Sequence, residues 1–134
     1  MAKKFERRSI QYHFHYAGRV TAAVSSSDMH QVVLNLLGNA HDALEESSQA
    51  DKSINVFLQV PDEGRITLQI ENNGPSIPLG AAERIFERNF STKGVKGSGI
   101  GLFVCRKLLR RNDGDISVES NALKTVFTVD LPAA

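Results

Sequence analysis

Apolar residues recur along this chain with two different periods, and the changes of period mark out its elements. Residues 5–15 read as extended, because Ile10, Tyr12 and Phe14 alternate with Gln11, His13 and His15. Tyr16, Ala17 and Gly18 form a turn signal, and 19–24 read as a returning strand. Ser25, Ser26, Ser27 and Asp28 are then a cluster of helix-capping residues. Behind them Val32, Val33, Leu36, Leu37, Ala40, Ala43 and Leu44 follow a helical period, which predicts a helix over 28–47. The period returns to two at Ile54, Val56, Leu58 and Val60. A turn at 61–64 and a second alternation at Ile66, Leu68 and Ile70 predict an antiparallel hairpin. From 72 to 96 the pattern is irregular and rich in glycine and proline, with only 81–86 briefly helical. A segment of that length inside a compact domain is usually a lid or a binding loop. Residues 98–111 return to a helical period, with Arg106, Lys107, Arg110 and Arg111 gathered toward the end where the helix dipole favours cations. Asn112, Asp113 and Gly114 stop that helix, and 116–120 and 126–131 read as two last strands.

This order of elements is best explained by an α+β fold of two layers. One mixed, mostly antiparallel sheet carries helices on one face. The length of 134 residues suits one domain, and 41% hydrophobic residues supply a core without disulfides or metals. The formal net charge of +1 gives no overall field to attract nucleic acid or anionic lipid, and neither is expected as a partner. The lone cysteine, Cys105, forbids an intrachain disulfide and fits a reducing compartment. It reads as a buried structural thiol, since no histidine is near it in sequence. No stretch approaches the ~20 apolar residues of a membrane helix, and the basic start of the chain is not followed by the apolar run of a secretory signal.

Two features carry candidate chemistry. Asn35, Asn39 and Asp42 are spaced i, i+4, i+7 and share one face of the first helix, away from its apolar face. Taken alone, such a stripe is more simply a solvated face. Solvated faces usually carry Glu and Lys, however, and asparagine is a poor mid-helix residue. The stripe therefore also reads as a wall of oxygen ligands and donors beside a polar ligand, of the kind that magnesium shares with phosphates. The second feature is Gly97-Ser98-Gly99-Ile100-Gly101-Leu102 at a helix start, where free amides and the dipole favour phosphate. It is not a Walker A loop, and no strand precedes it as a dinucleotide fingerprint requires. Glu71 to Pro78 leaves a strand directly into Asn-Gly-Pro, which reads either as a turn or as a polar side chain at a pocket mouth.

These segments, in this order, resemble the ATP-binding catalytic domain of sensor histidine kinases, over roughly 28–132. That domain belongs to the Bergerat-fold superfamily shared with DNA gyrase, the ninety-kilodalton heat-shock chaperone and the mismatch-repair ATPases. NLLGNAHDAL resembles its N box, ENNGPSIP its first glycine box, IFERNFSTK its phenylalanine box and lid, and GSGIGL its second glycine box. NDGDISVES with KTVFTVDLP resembles the closing hairpin. The resemblance implies ATP and Mg2+ as cofactors. It implies Asn39 as the magnesium ligand and Asn35 where hydrolytic relatives carry a catalytic glutamate. Asp42 would orient water or a phosphate-side group, and Gly97, Gly99, Gly101 and Leu102 form the phosphate turn. Thr92 and Lys93 lie in the lid, with Lys93 near the terminal phosphates. Asn72, Gly74, Ser76 and Ile77 form the first glycine box, and Thr125 helps hold adenine.

Two departures from the pattern matter. Asn72 stands where the family carries an aspartate that accepts from the adenine amino group. Replacing a charge-assisted bond by a neutral one implies weaker ATP binding, by about 1–2 kcal/mol. Ser76 stands where a second glycine is usual, and a positive φ there would strain it. Moreover, none of the four histidines (His13, His15, His30, His41) has the helical context of a phosphoacceptor, and all read as surface or structural. The resemblance thus implies a kinase domain that is inactive alone. It would serve a histidine on a separate dimerising helix pair, in the same parent chain or in trans, with a response regulator downstream. Its place would be the cytoplasm, with a parent protein compatible with a membrane anchor. The alternative is a degenerate regulatory module with weak or no nucleotide binding. A stand-alone serine kinase of the anti-sigma-factor type and a gyrase-type ATPase fit less well, the latter for want of a glutamate at Asn35.

Overall fold

A computed structural model describes residues 10–16, 21–60, 64–78, 80–82, 84–87 and 101–134. The elements are β1 (Gln11–Tyr16), α1 (Ser26–Glu45), β2 (Ser53–Gln59), β3 (Arg65–Asn72), α2 (Gly101–Arg110), β4 (Asp115–Ser120) and β5 (Thr125–Pro132). The strands form one sheet in the order β1-β2-β3-β5-β4. Only the β1–β2 pair is parallel; the other three pairs are antiparallel. Both helices pack on one face of this sheet and against each other. The expected two-layer α+β architecture is therefore present.

Alternation along the strands decides which side faces the helices. Leu68 and Ile70 of β3 and Phe127, Val129 and Leu131 of β5 point into the core with Val32, Leu36, Ala40 and Leu44 of α1, and Ile66 is buried on the same face of β3. From α2 come Cys105 and Leu109. Each fully buried residue of this size contributes roughly 1.5–3 kcal/mol, so the apolar rows outweigh any single polar contact.

The helix ends explain themselves chemically. Ser25 caps α1, its Oγ accepting from the Asp28 amide at 3.4 Å. Asp28 accepts from Arg111 at 3.0 and 2.7 Å and from Asn112 Nδ2 at 2.8 Å. Asn112 Oδ1 in turn accepts from the Ser25 amide at 3.1 Å, so the start of α1 is stitched to the end of α2. The Arg111 hydrogen bond, then that of Asn112, holds the Asp28 carboxyl below the usual carboxylate range. Beyond α2 the chain turns through Asp113, with φ of 62°, and reaches Gly114. The Gly114 amide closes the helix on Leu109 O at 2.8 Å.

Three expectations are revised. Of the strand expected over 19–24, residues 19 and 20 lie outside the described residues, and 21–24 form no strand. Ala22 makes one isolated bridge to Ala133, flanked by bonds from Ala23 N to Pro132 O and from Ala134 N to Thr21 O. Since β4 pairs with β5 only as far as Asp130, this segment can reach β5 only at its last residues. The brief helix expected over 81–86 is not seen in its described residues, 81–82 and 84–86, which form turns instead. Their bonds join Ala81 N to Pro78 O, and Arg84 N and Ile85 N to Ala81 O. One turn of helix pays the nucleation cost without the propagation that offsets it. Ser76 carries no strain of the expected kind, because Asp113 is the one non-glycine with positive φ among the described residues. The segments 5–9, 17–18, 61–63 and 98–100, read as strand, turn, turn and helix start, lie outside the described residues.

Candidate functional site

At the end of the sheet nearest the α1 C-terminus, the core face changes from apolar to polar. Ile70 is followed on its face by Asn72, Phe127 is preceded by Thr125, and Val118 is followed by Ser120. These three polar residues are cross-strand neighbours: Asn72 pairs with Thr125, and Thr125 with Ser120. Asn72 and Thr125 are each 3% exposed. Buried polar groups in such a place need partners. Ser120 Oγ and Thr125 Oγ1 lie 2.7 Å apart, and Ser120 Oγ also accepts from the Ile77 amide at 2.9 Å. Asn72 Oδ1 accepts from the Gly74 amide at 2.9 Å, an Asx turn that folds the chain back as it leaves β3.

Gly74 is required here by space. A Cβ on it would lie 3.0 Å from Asn72 Oδ1 and 3.3 Å from Leu44 Cδ2. That crowding places the last turn of α1 against the strand exit. Asn73 locks the other side, its Oδ1 accepting from Ser53 N at 2.8 Å and its Nδ2 donating to Asp51 O at 3.0 Å. Ser76 is exposed and Ile77 half-buried, so the first glycine box runs from the interior to the surface within four residues.

The asparagine stripe faces α2. Asn35 Nδ2 donates to Gly101 O at 3.4 Å, and a Cβ on Gly101 would come within 3.9 Å of Asn35 Cγ. One turn along, Asn39 is half-buried, and Asp42 beyond it is exposed. Thus the structure brings Asn35, the first residue of the stripe, to the first residue of α2, and Leu102 packs against the core. Behind the stripe Cys105 is fully buried, its Sγ 3.8 Å from Val32 O, and burial pushes its thiol up to about 11, with a hydrogen bond to Asn35 opposing. It is a structural thiol, as expected. Thr92, Lys93, Gly97 and Gly99 lie outside the described residues.

The root of the irregular segment is held by aromatic contacts. Arg106 stacks its guanidinium 4.3 Å from the centroid of the Phe86 ring, and Phe86 meets Phe127 edge-on at 6.3 Å. Of the histidines, His15 stacks on Phe57 with centroids 4.5 Å apart, and His41 pairs with Glu45 at 3.2 Å. His41, Asp42 and Glu45 bring their ligand atoms within 4.8 Å of one another on the flank of α1. Sequence reasoning missed Ser120. Its signal was present: the last residue of β4 falls on the core face and opposite Thr125 across a four-residue connection.

Gly101 at the start of α2 thus meets Asn35, and Asn72, Thr125 and Ser120 form a polar floor at the strand ends. The family model for histidine kinase-, DNA gyrase B- and HSP90-like ATPases matches residues 24–134. The chain belongs to this family. Its relatives include a probable C4-dicarboxylate sensor kinase of Halalkalibacterium halodurans. That protein is 34% identical over 110 residues, which cover 81% of this chain and 20% of the relative. The sensory histidine kinase/phosphatase NtrB of Rhodobacter capsulatus is 39% identical over 114 residues, 78% of this chain and 31% of NtrB. The nucleotide-free catalytic domain of the histidine kinase ThkA superposes with a TM-score of 0.79 at 26% identity, covering 98% of this chain and 85% of that domain. The fold is therefore that of histidine kinase catalytic domains, and the chain spans about a fifth to a third of the length of these two sensor kinases. Among the described residues no helix is long and apolar enough to cross a membrane.

Proposed function

We propose that this chain is the ATP-binding catalytic domain of a two-component sensor histidine kinase. It presents the γ-phosphate of Mg-ATP to a histidine on a separate dimerisation domain, and a response regulator acts downstream. The observation that supports this reading is the approach of Asn35, the first residue of the asparagine stripe, to Gly101 at the start of α2. Phosphoryl transfer needs positioning and charge neutralisation more than a protein nucleophile. In this reading Asn39 supplies a neutral oxygen to Mg2+, whose preference for oxygen ligands the stripe satisfies. Magnesium, when bound, neutralises phosphate charge. Gly97, Gly99 and Gly101 offer amides to the phosphates, with Leu102 fixing the turn to the core. Lys93 and Thr92 act from the lid, Asp42 orients water, and Asn35 takes no proton, which suits transfer to a histidine better than hydrolysis. The base lies toward Asn72, Gly74, Ser76, Ile77 and Thr125. Localisation of the domain is cytoplasmic in this reading.

The test is calorimetric titration of the chain with AMPPNP, with and without Mg2+, beside Asn39→Ala. Micromolar binding that requires Mg2+, and loses that requirement together with affinity in Asn39→Ala, is expected. Binding indifferent to both Mg2+ and Asn39 overturns the assignment of the stripe. A second reading, a regulatory module with little affinity for ATP, draws on Asn72, whose oxygen is already engaged by Gly74. A folded chain that binds no nucleotide of any base favours it.

A further inference from the structure

We propose that Asn72 turns the base preference of this site away from adenine and toward purines with a carbonyl at C6, namely guanine and hypoxanthine. This rests on the nucleotide-binding reading above and adds the identity of the base. The Asn72 oxygen is committed. It accepts from the Gly74 amide at 2.9 Å, and only the oxygen of a carboxamide can fill that role. The amide nitrogen, with two N–H donors, is therefore the other arm. It makes no hydrogen bond among the described residues. Among those residues Arg106 Nε is the only fully enclosed side-chain nitrogen or oxygen without a hydrogen bond, so Asn72 Nδ2, which makes none, is not fully enclosed. A residue 3% exposed thus keeps a donor without a hydrogen bond, and such a donor calls for an acceptor on whatever binds beside it.

A carboxylate at this position would accept on both arms, one from Gly74 and one from an amino group on the base. The carboxamide cannot do both. Turned over, it would show its oxygen to the base but set a donor against the Gly74 amide. The 6-amino group of adenine is a donor and meets this mismatch in either orientation. A 6-oxo group accepts from Nδ2 and leaves the Gly74 bond intact. The neighbouring hydroxyls raise no objection. A 6-oxopurine carries a proton on N1 where adenine does not, and the Ser120–Thr125 pair, 2.7 Å apart, can rotate to accept it as readily as to donate. The Asx turn is held in this orientation by Gly74 itself, since a larger residue would press on the Asn72 oxygen.

The experiment is calorimetric titration of the whole chain, and of Asn72→Asp, with the magnesium complexes of ADP, GDP and IDP. Circular dichroism confirms that both proteins are folded. IDP binding at least tenfold tighter than ADP to the native chain, with the order reversed in Asn72→Asp, is the expected result. IDP lacks the 2-amino group, so tight IDP with weak GDP also supports the inference and adds a steric limit at C2. ADP binding as tightly as IDP to the native chain overturns it, even if Asn72→Asp fails to fold, and leaves the nucleotide-binding reading standing. An identical preference in both proteins overturns it too, because the base would then be chosen elsewhere. No binding of any nucleotide to either folded protein overturns the nucleotide-binding reading and this inference with it.

Discussion

Replacing Gly114 by alanine tests the junction between α2 and the sheet, and Gly38→Ala is its control. An added Cβ at Gly114 would lie 2.4 Å from the carbonyl oxygen of Asp130, 3.0 Å from Leu131 Cδ2 and 3.4 Å from Leu109 O. Restoring an ordinary contact with the Asp130 oxygen requires a shift of about 1 Å, from 2.4 to 3.4 Å. That oxygen belongs to β5, which pairs on both sides, Asp130 lying opposite Thr67 and Asp115. Neither partner can move alone, so the cost falls in the upper part of the overpacking range, about 2–3 kcal/mol. For a domain of this size a kcal/mol corresponds to roughly 3–5 °C, so the midpoint should fall by about 6–15 °C. Gly38 sits in the middle of α1 with nothing within 4 Å of its added Cβ. There alanine relieves the backbone entropy of a helical glycine and should stabilise by about 0.5–1 kcal/mol. Thermal and urea unfolding of the two variants and the native chain gives both values. An unchanged midpoint for Gly114→Ala, or two shifts of the same sign, refutes the reasoning.

Three further outcomes follow from the contacts. The Asp28 carboxyl is held below its ordinary 3.8 by Arg111 and then Asn112, so its stabilisation is present above the unfolded value and is lost as pH falls through the folded one. The urea midpoints of the native chain and Asp28→Asn should therefore differ at neutral pH and converge in acid; a gap that persists below the folded value contradicts this. Cys105, buried and pushed up to about 11, should resist iodoacetamide at neutral pH until the chain is unfolded, as mass spectrometry with and without urea will show. A double-mutant cycle on Arg106→Ala and Phe86→Leu should return a coupling of about 0.5–1 kcal/mol in urea unfolding, and additive effects would deny the stacking contact its role.

Much of the architecture was legible because a period of two or of 3.6 states which face of an element is buried. Asn35 and Asn39 could be placed on one helical face, and Asn72 at a strand end, from spacing alone. What spacing does not encode is neighbourhood. Nothing in the alternation of Tyr12 and Phe14 says that β1 runs parallel to β2, nor does Thr125 announce that its strand lies between β3 and β4. The segment 21–24 looked strand-like because its small and β-branched residues tolerate extension, yet its pairing is limited to an isolated bridge beside the end of β5. Ser120 escaped notice because serine is unremarkable until Thr125 and the Ile77 amide are seen around it. The direction of the Asn72 carboxamide was equally invisible, since it is decided by the single amide of Gly74.

The strand order has a consequence for how the chain is made. Synthesis proceeds from β1 toward β5, yet β5 is the strand that joins β3 to β4. Until β5 leaves the ribosome, β3 has one unpaired edge and β4 has no partner in the sheet. The polar floor of Asn72, Thr125 and Ser120 is likewise assembled only then. The β1–β2–β3 portion with α1 can gather early, but the half of the sheet beneath α2 closes in one late step governed by contacts far apart in sequence. A stop codon a few residues before Thr125 would therefore remove the strand between β3 and β4, leaving an open edge on β3 for other chains to pair with.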